Sequence, residues 1–358
     1  MKILLLTLHS QNNNFGSVLQ ANSLYQYIKK LGHEVTVLNY RPYYSNGALN
    51  PKLLLKKILI NTMFLPQFIR RTKRFNSIID TEKTTKKYTR TEQLNDIAEH
   101  YDIYMIGSDQ VWNPTYLCGK DSVYVLKFTN STKKMAYAAS IGTDTVSNKE
   151  LGEIVENIKD FKFVSVREKT SAVQLRNAGR RDTKFVLDPV FLFDKEYYKR
   201  LQKESTRSGY ILAYVIHKDP FIEKVIEVLA EKMNKKVIQV GGFASKCKYD
   251  EFPRSAGPAE FLGLIDGADL VVTSSFHGLA FSHIYHKQFW VVLPHGNTLR
   301  LTNILEAAGT MNRIVEKIED LDEICEPIDY EIVDEKLGRL KKQSRDFLCS
   351  SLLALEEM

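Results

Sequence analysis

Short apolar strands alternate with amphipathic helices along this chain, and the alternation starts twice. Residues 2–8 read as a strand, 17–30 as a helix and 34–39 as a second strand. That βαβ order closes only as a parallel pair with a right-handed crossover, which excludes all-α and all-β folds. Strand patterns recur at 101–106, 134–138, 163–166 and 184–187, with helices at 148–160 and 169–177. A polar stretch at 194–208, with five Lys or Arg and no long apolar run, reads as a linker. The alternation then resumes, with strands at 210–216, 236–240, 269–273 and 289–293 and a long terminal helix at 331–356. A length of 358 residues fits two domains. The expectation is an α/β chain of two Rossmann-like domains facing a cleft. They run from 1 to 193, with a helical insert at 46–100, and from 209 to 330, followed by a helix at 331–358.

Charge is concentrated in one place. The chain carries +7 overall, but residues 51–90 hold eleven Lys or Arg against Asp80 and Glu82, so the remainder sums to −2. Cations and apolar residues share two short helical stretches there, broken at Pro66. Such a segment either lies on an anionic membrane surface or packs on its own domain with a solvated cationic face. It lacks the signatures of nucleic-acid modules, so no nucleic acid is expected as a partner. No run of 18 apolar residues spans a membrane. The apolar start ends at His9 without a small-residue cleavage site and reads as a buried strand, not a signal peptide. Cys118, Cys247, Cys325 and Cys349 are too scattered for a zinc site, so reduced thiols in a cytoplasmic protein are expected.

Ligands of open parallel sheets bind beyond the carboxyl ends of strands, so the residues there carry the functional reading. After the first strand, Asn14, Gly16 and Ser17 lead into a helix without a GxGxxG or P-loop pattern. They either hold an anion on free N–H groups or simply cap the helix. After 101–106 come Ser108, Asp109, Gln110 and Trp112, a density of donors, acceptors and indole that suits a sugar. Arg167 follows the 163–166 strand, placed to fork onto a carboxylate or phosphate, or to pair with Glu168 or a neighbour. Ser274, Ser275, His277 and Gly278 open a helix after 269–273. There the helix field lowers the imidazole's pKa toward proton exchange near neutrality, and Gly278 admits a ligand close to the backbone. Arg300 and Arg313 offer further phosphate contacts, and no metal is expected.

Together these residues resemble the polysaccharide pyruvyltransferase family over roughly 2–313. The resemblance rests on Asn14-Phe15-Gly16 with Leu19-Gln20-Ala21, Gly107-Ser108-Asp109-Gln110-Val111-Trp112-Asn113, Ser165-Val166-Arg167-Glu168, Asp188-Pro189-Val190 and Ser275-Phe276-His277-Gly278. It implies a glycosyltransferase-B-type fold and transfer of the pyruvyl carbons of phosphoenolpyruvate onto two hydroxyls of a sugar. The products would be a cyclic ketal and phosphate, with no cofactor beyond the donor. The acceptor would be a surface polysaccharide or its lipid-linked precursor, which favours membrane contact by 51–90. Arg167 would hold one anion, the helix N-termini near Asn14 and Ser275 would assist, and His277 would be the general acid–base. Several relatives carry arginine where this chain has Ser275, so either Arg300 or Arg313 supplies that charge or the donor or reaction has drifted. Two competing expectations remain: a nucleotide-sugar-dependent glycosyltransferase on the same frame, and a non-catalytic sugar- or membrane-binding protein.

Overall fold

A computed structural model describes residues 1–9, 14–46, 64–78, 83–216, 219–241, 249–296, 298–321 and 326–358. Ser10 to Asn13, the 51–63 half of the basic segment, Gly242, Cys247 and Cys325 lie outside the described residues. Cys118 and Cys349 are free thiols.

The N-terminal sheet has six parallel strands: β1 (Lys2–Leu6), β2 (Glu34–Val37), β3 (Ile103–Ile106), β4 (Lys134–Ala139), β5 (Phe163–Val166) and β6 (Lys184–Phe185). Their spatial order is β2-β1-β3-β4-β5-β6. The C-terminal sheet has four, in the order β10-β9-β7-β8: β7 (Tyr210–Val215), β8 (Val237–Gly241), β9 (Ala268–Thr273) and β10 (Gln288–Val291). Strands such as β3 and β7 are buried at every position, as parallel strands covered on both faces must be. In each sheet the strand order reverses once, between β1 and β3 and between β7 and β9. A crevice opens at such a switch point. Asp109 follows β3 and His277 follows β9, so both crevices carry residues singled out from the sequence.

The helices follow their local signals. Asn14 caps α1 (Phe15–Lys30), accepting from the Ser17 N–H at 3.2 Å. The basic segment contributes α2 (Leu65–Asn76), and Ser147 with Glu150 forms a capping box at the start of α3 (Asn148–Asn157). After β5 comes α4 (Lys169–Asn177). The expected linker at 194–208 contains a helix instead, α5 (Lys195–Leu201), capped by Asp194. Its driving residue is Tyr198, fully buried, whose hydroxyl donates to the Val190 carbonyl at 2.8 Å. Proline opens α6 (Pro220–Met233) and α7 (Pro258–Gly267). The remaining helices are α8 (Phe276–Ile284), α9 (Leu299–Ala308) and α10 (Tyr330–Glu356).

Two elements tie the sheets together. Val333 and Leu337 of α10 sit in the C-terminal core, while Leu348, Leu352 and Leu355 pack with Ile3, Leu5 and Leu24 of the N-terminal one. On α2, Arg74 pairs with Glu260 at 3.1 Å, and Phe75 stacks on Phe15 with ring centroids 5.2 Å apart. The described half of the basic segment therefore packs across the two domains, which is the second of its two sequence readings for one face of the helix. No helix among the described residues is long and apolar enough to cross a membrane.

Candidate active site

Three carboxylates converge on one arginine where the two domains meet. The Arg167 side chain is wholly buried; its Nη1 donates to Asp188 Oδ2 at 2.6 Å and its Nη2 to Asp109 Oδ1 at 3.0 Å. Its Nε lies 3.5 Å from Glu168 Oε1, and its guanidinium sits 5.0 Å from the ring of Phe276. The sequence left Arg167 between ligand anions and neighbouring carboxylates; in this structure the carboxylates hold it. Burial pushes Asp109 upward, but Arg167, His277, Arg300 and the Ser17 hydroxyl outweigh it and hold the carboxyl below its usual range. Ser17 Oγ donates to Asp109 Oδ2 at 3.0 Å.

His277 reaches this cluster from the other domain. A Cβ on Gly16 would fall 2.0 Å from its Nδ1, so the glycine lets the first turns of α1 and α8 touch. Its Nε2 stands 3.8 Å from Asp188 Oδ1, beyond hydrogen-bond reach, and is buried with no hydrogen-bond partner among the described residues. Burial pushes the imidazole down to about 4; Asp188 opposes the shift, while Arg167 and Arg300 add to it. The expected titration near neutrality is therefore not what the site imposes: His277 is neutral at pH 7.

Arg300 opens α9, whose first turn is fastened to the other domain. Asp144 accepts from the Thr298 N–H and hydroxyl at 2.9 and 2.8 Å and from the Leu299 N–H at 3.0 Å. The Arg300 guanidinium makes no hydrogen bond or ion pair among the described residues, and its Nε is enclosed without a partner. Burial and then Arg167 lower its pKa, although Asp109 and Glu168 attract it. Glu168 has one oxygen on the Ser140 hydroxyl at 2.5 Å, and the Ser171 hydroxyl also acts on its carboxylate. Burial raises its pKa despite Arg167. Buried polar atoms without a hydrogen bond cost about 1–3 kcal/mol each, and among the described residues His277 Nε2 and Arg300 Nε are two of them.

Other expected site residues are spent on structure. Ser108 is fully buried, donating to the Ala138 carbonyl at 2.7 Å and lying 3.2 Å from Asp188 Oδ2. Gln110 accepts from Asn113 Nδ2 at 2.8 Å and packs where a Cβ on Gly142 would stand. Trp112 is a core residue: its indole N–H donates to the Tyr124 carbonyl at 3.0 Å and it presents no face to a sugar. Thr273 Oγ1 and the Tyr214 ring fill the space beside Gly278, so its missing Cβ admits those side chains, not a ligand. Ser275 is buried with its N–H on Thr273 Oγ1, while Ser274 is half-buried at the crevice. Arg313 lies over Trp290 with its Nη2 on the Glu326 carbonyl, outside the cluster.

The sequence reading had passed over Asp188 and Glu168 as site residues, and Asp144 altogether. Asp188 was visible as an Asp-Pro pair closing a strand, Glu168 as a carboxylate beside Arg167. Asp144 had no local signal, because its partners lie over 150 positions away. A cavity of about 310 Å³ walled by Tyr27, Lys30, Phe193 and Arg345 shares no residue with the cluster, and none of its atoms named here is an unpaired buried one.

Two parallel-sheet domains with a polar cleft at their switch points define a glycosyltransferase-B-type fold. The chain covers 96% of itself and 93% of a UDP-GlcNAc 2-epimerase from Methanocaldococcus jannaschii, at 12% identity and a TM-score of 0.50. A UDP-N-acetylglucosamine 2-epimerase of Listeria monocytogenes, described as putative, gives 0.50 at 11% identity, with 98% and 90% covered. At such identities the likeness is one of fold. The polysaccharide pyruvyl transferase family model matches residues 14–296, more than half of the chain, and the chain belongs to that family. No curated protein matches the sequence as a relative.

Proposed function

We propose that the cleft transfers the pyruvyl group of phosphoenolpyruvate to two hydroxyls of a polysaccharide or its precursor. The carrying observation is Arg300, a cation without hydrogen bond or ion pair among the described residues, whose charge acts on His277 and Arg167. A half-buried guanidinium in that state is completed by an anion, and the donor brings a carboxylate and a phosphate. Arg300 then provides the charge that Ser275 lacks. It lies beyond the 14–296 match, so its role comes from the geometry and not from the family.

The chemistry asks for two proton movements. One acceptor hydroxyl attacks C2 of the donor, its proton passing to C3, which becomes the methyl group. The second hydroxyl then displaces phosphate from C2, and its proton leaves with the phosphate. His277, neutral and with a bare Nε2, takes the first hydroxyl proton and returns it to C3. An anion beside the imidazole raises its pKa toward the working pH, so donor binding itself readies the base. Asp109 and Asp188 fix Arg167 at the carboxyl ends of the N-terminal sheet, against the Phe276 ring of the other domain.

A thermal-shift screen with phosphoenolpyruvate, phosphate, UDP and GDP tests this on wild type and Arg300→Ala. A ligand at a hundredfold its Kd stabilises by about 2.7 kcal/mol. Phosphoenolpyruvate should raise the midpoint in wild type and not in the variant. Stabilisation by UDP or GDP alone refutes the donor and assigns a nucleotide-sugar reaction. Arg300 is the residue to vary, because removing Arg167 unpairs buried carboxylates and disturbs folding.

A further inference from the structure

We propose that the outward face of α2 docks on an anionic lipid surface. The helix reads Leu-Pro-Gln-Phe-Ile-Arg-Arg-Thr-Lys-Arg-Phe-Asn and contains no acidic residue. Its inner face is committed. Phe75 is buried against Phe15, Arg71 lies over both rings at 5.0 and 5.3 Å, and Arg74 Nη1 donates to the Ser255 carbonyl at 2.7 Å. The outer face carries Leu65, Phe68 and Ile69 at i, i+3 and i+4, exposed by 46, 39 and 56%. Arg70 and Lys73, both exposed, flank them.

Scattered exposed apolar residues need no explanation, but three large ones within one helical turn form a patch. Charge decides the occupant. The chain outside 51–90 sums to −2, while α2 alone carries four Arg or Lys and no acidic residue. A convex single helix with a narrow apolar stripe and flanking cations suits the boundary of headgroups and acyl chains, with the long cationic side chains reaching the phosphates. The inner face of the same helix rests on Phe15, and Gly16 beside it touches His277. Docking through α2 therefore holds at the lipid surface a helix that packs on α1 beside the cleft, whatever reaction the cleft performs.

Co-sedimentation of the full chain with vesicles of phosphatidylglycerol in phosphatidylcholine, against phosphatidylcholine alone, tests the assignment. Wild type should bind only the anionic vesicles. Each surface cation contributes a factor of about 5 to partition, so Arg70→Gln with Lys73→Gln should weaken binding about 25-fold. Phe68→Ser with Ile69→Ser should weaken it tenfold or more, and both variants should keep the wild-type thermal midpoint. Absence of binding to anionic vesicles overturns the proposal, and so does binding that neither variant weakens. A concentration-dependent dimer abolished by Phe68→Ser with Ile69→Ser, without vesicle binding, also overturns it and assigns the face to a second copy of the chain.

Discussion

Replacing Arg167 with methionine removes the one cation shared by Asp109, Asp188 and Glu168. Methionine keeps an unbranched apolar stem, so the effect read is that of the lost charge. Breaking a buried ion pair from one side costs about 3–5 kcal/mol, because the remaining carboxylate stays desolvated. The size of the loss depends on pH, and its sign can be worked out. In wild type the folded-state pKa of Asp109 is depressed, so its stabilisation is present above the unfolded value of about 3.9 and is lost as pH falls through the folded one. In the variant the largest opposing charge is gone, although Arg300 and the Ser17 hydroxyl still act, so the pKa moves upward from its wild-type position. The stabilisation that the depressed pKa supplied above about pH 4 is then reduced. Glu168, already raised by burial, moves further the same way. The stability gap between the two proteins should therefore be widest near pH 7 and narrow toward pH 4. Urea unfolding at several pH values measures it. A gap below about 1 kcal/mol at pH 7, or one constant with pH, would refute the view of Arg167 as an electrostatic keystone.

Gly16→Ala would ordinarily favour a helix by about 1 kcal/mol, yet here the new methyl meets His277, so a net loss of about 1–3 kcal/mol and a larger radius of gyration are expected. Calorimetry and small-angle scattering check it, and an unchanged midpoint would contradict the close contact. Trp112→Phe strips the Tyr124 carbonyl of its donor, costing about 1–3 kcal/mol without altering the KM for a sugar acceptor. A KM increase with unchanged stability would restore the stacking role expected from sequence. Leu352→Ala removes a fully buried side chain and should cost about 2–5 kcal/mol, read by urea unfolding.

The parallel architecture was legible because period and punctuation alone encode it: apolar strands, capped helices and the two restarts. The helix α5 was hidden by its charges. Its single buried anchor, Tyr198, finds partners in Ser23 and Val190 that no local pattern reveals. The candidate site shows the same division. Residues after strands were found by address: the structure has Asp109, Arg167 and His277 in one cluster, with Arg300 close enough for its charge to act on them. Their roles were not, because role depends on who faces whom across the domains. Trp112 and Gly278 look ligand-facing in one dimension, yet one is enclosed by Tyr124 and the other abuts Thr273.

The terminal helix α10 has a consequence for how the protein is made. Leu348, Leu352 and Leu355 complete a core that otherwise belongs to the first sheet. That sheet's last strand ends at Phe185, so its remaining wall emerges from the ribosome more than 150 residues later. At about 5–20 residues per second, the first domain waits on the order of ten seconds or more with Ile3, Leu5 and Leu24 uncovered. Stalled chains ending near residue 200 should accordingly be cut by protease far faster than full-length protein; equal resistance would show that the first domain closes without its last helix. Synthesis from the N-terminus cannot proceed here one finished domain at a time, and the final turn of the final helix is the step that seals the first fold.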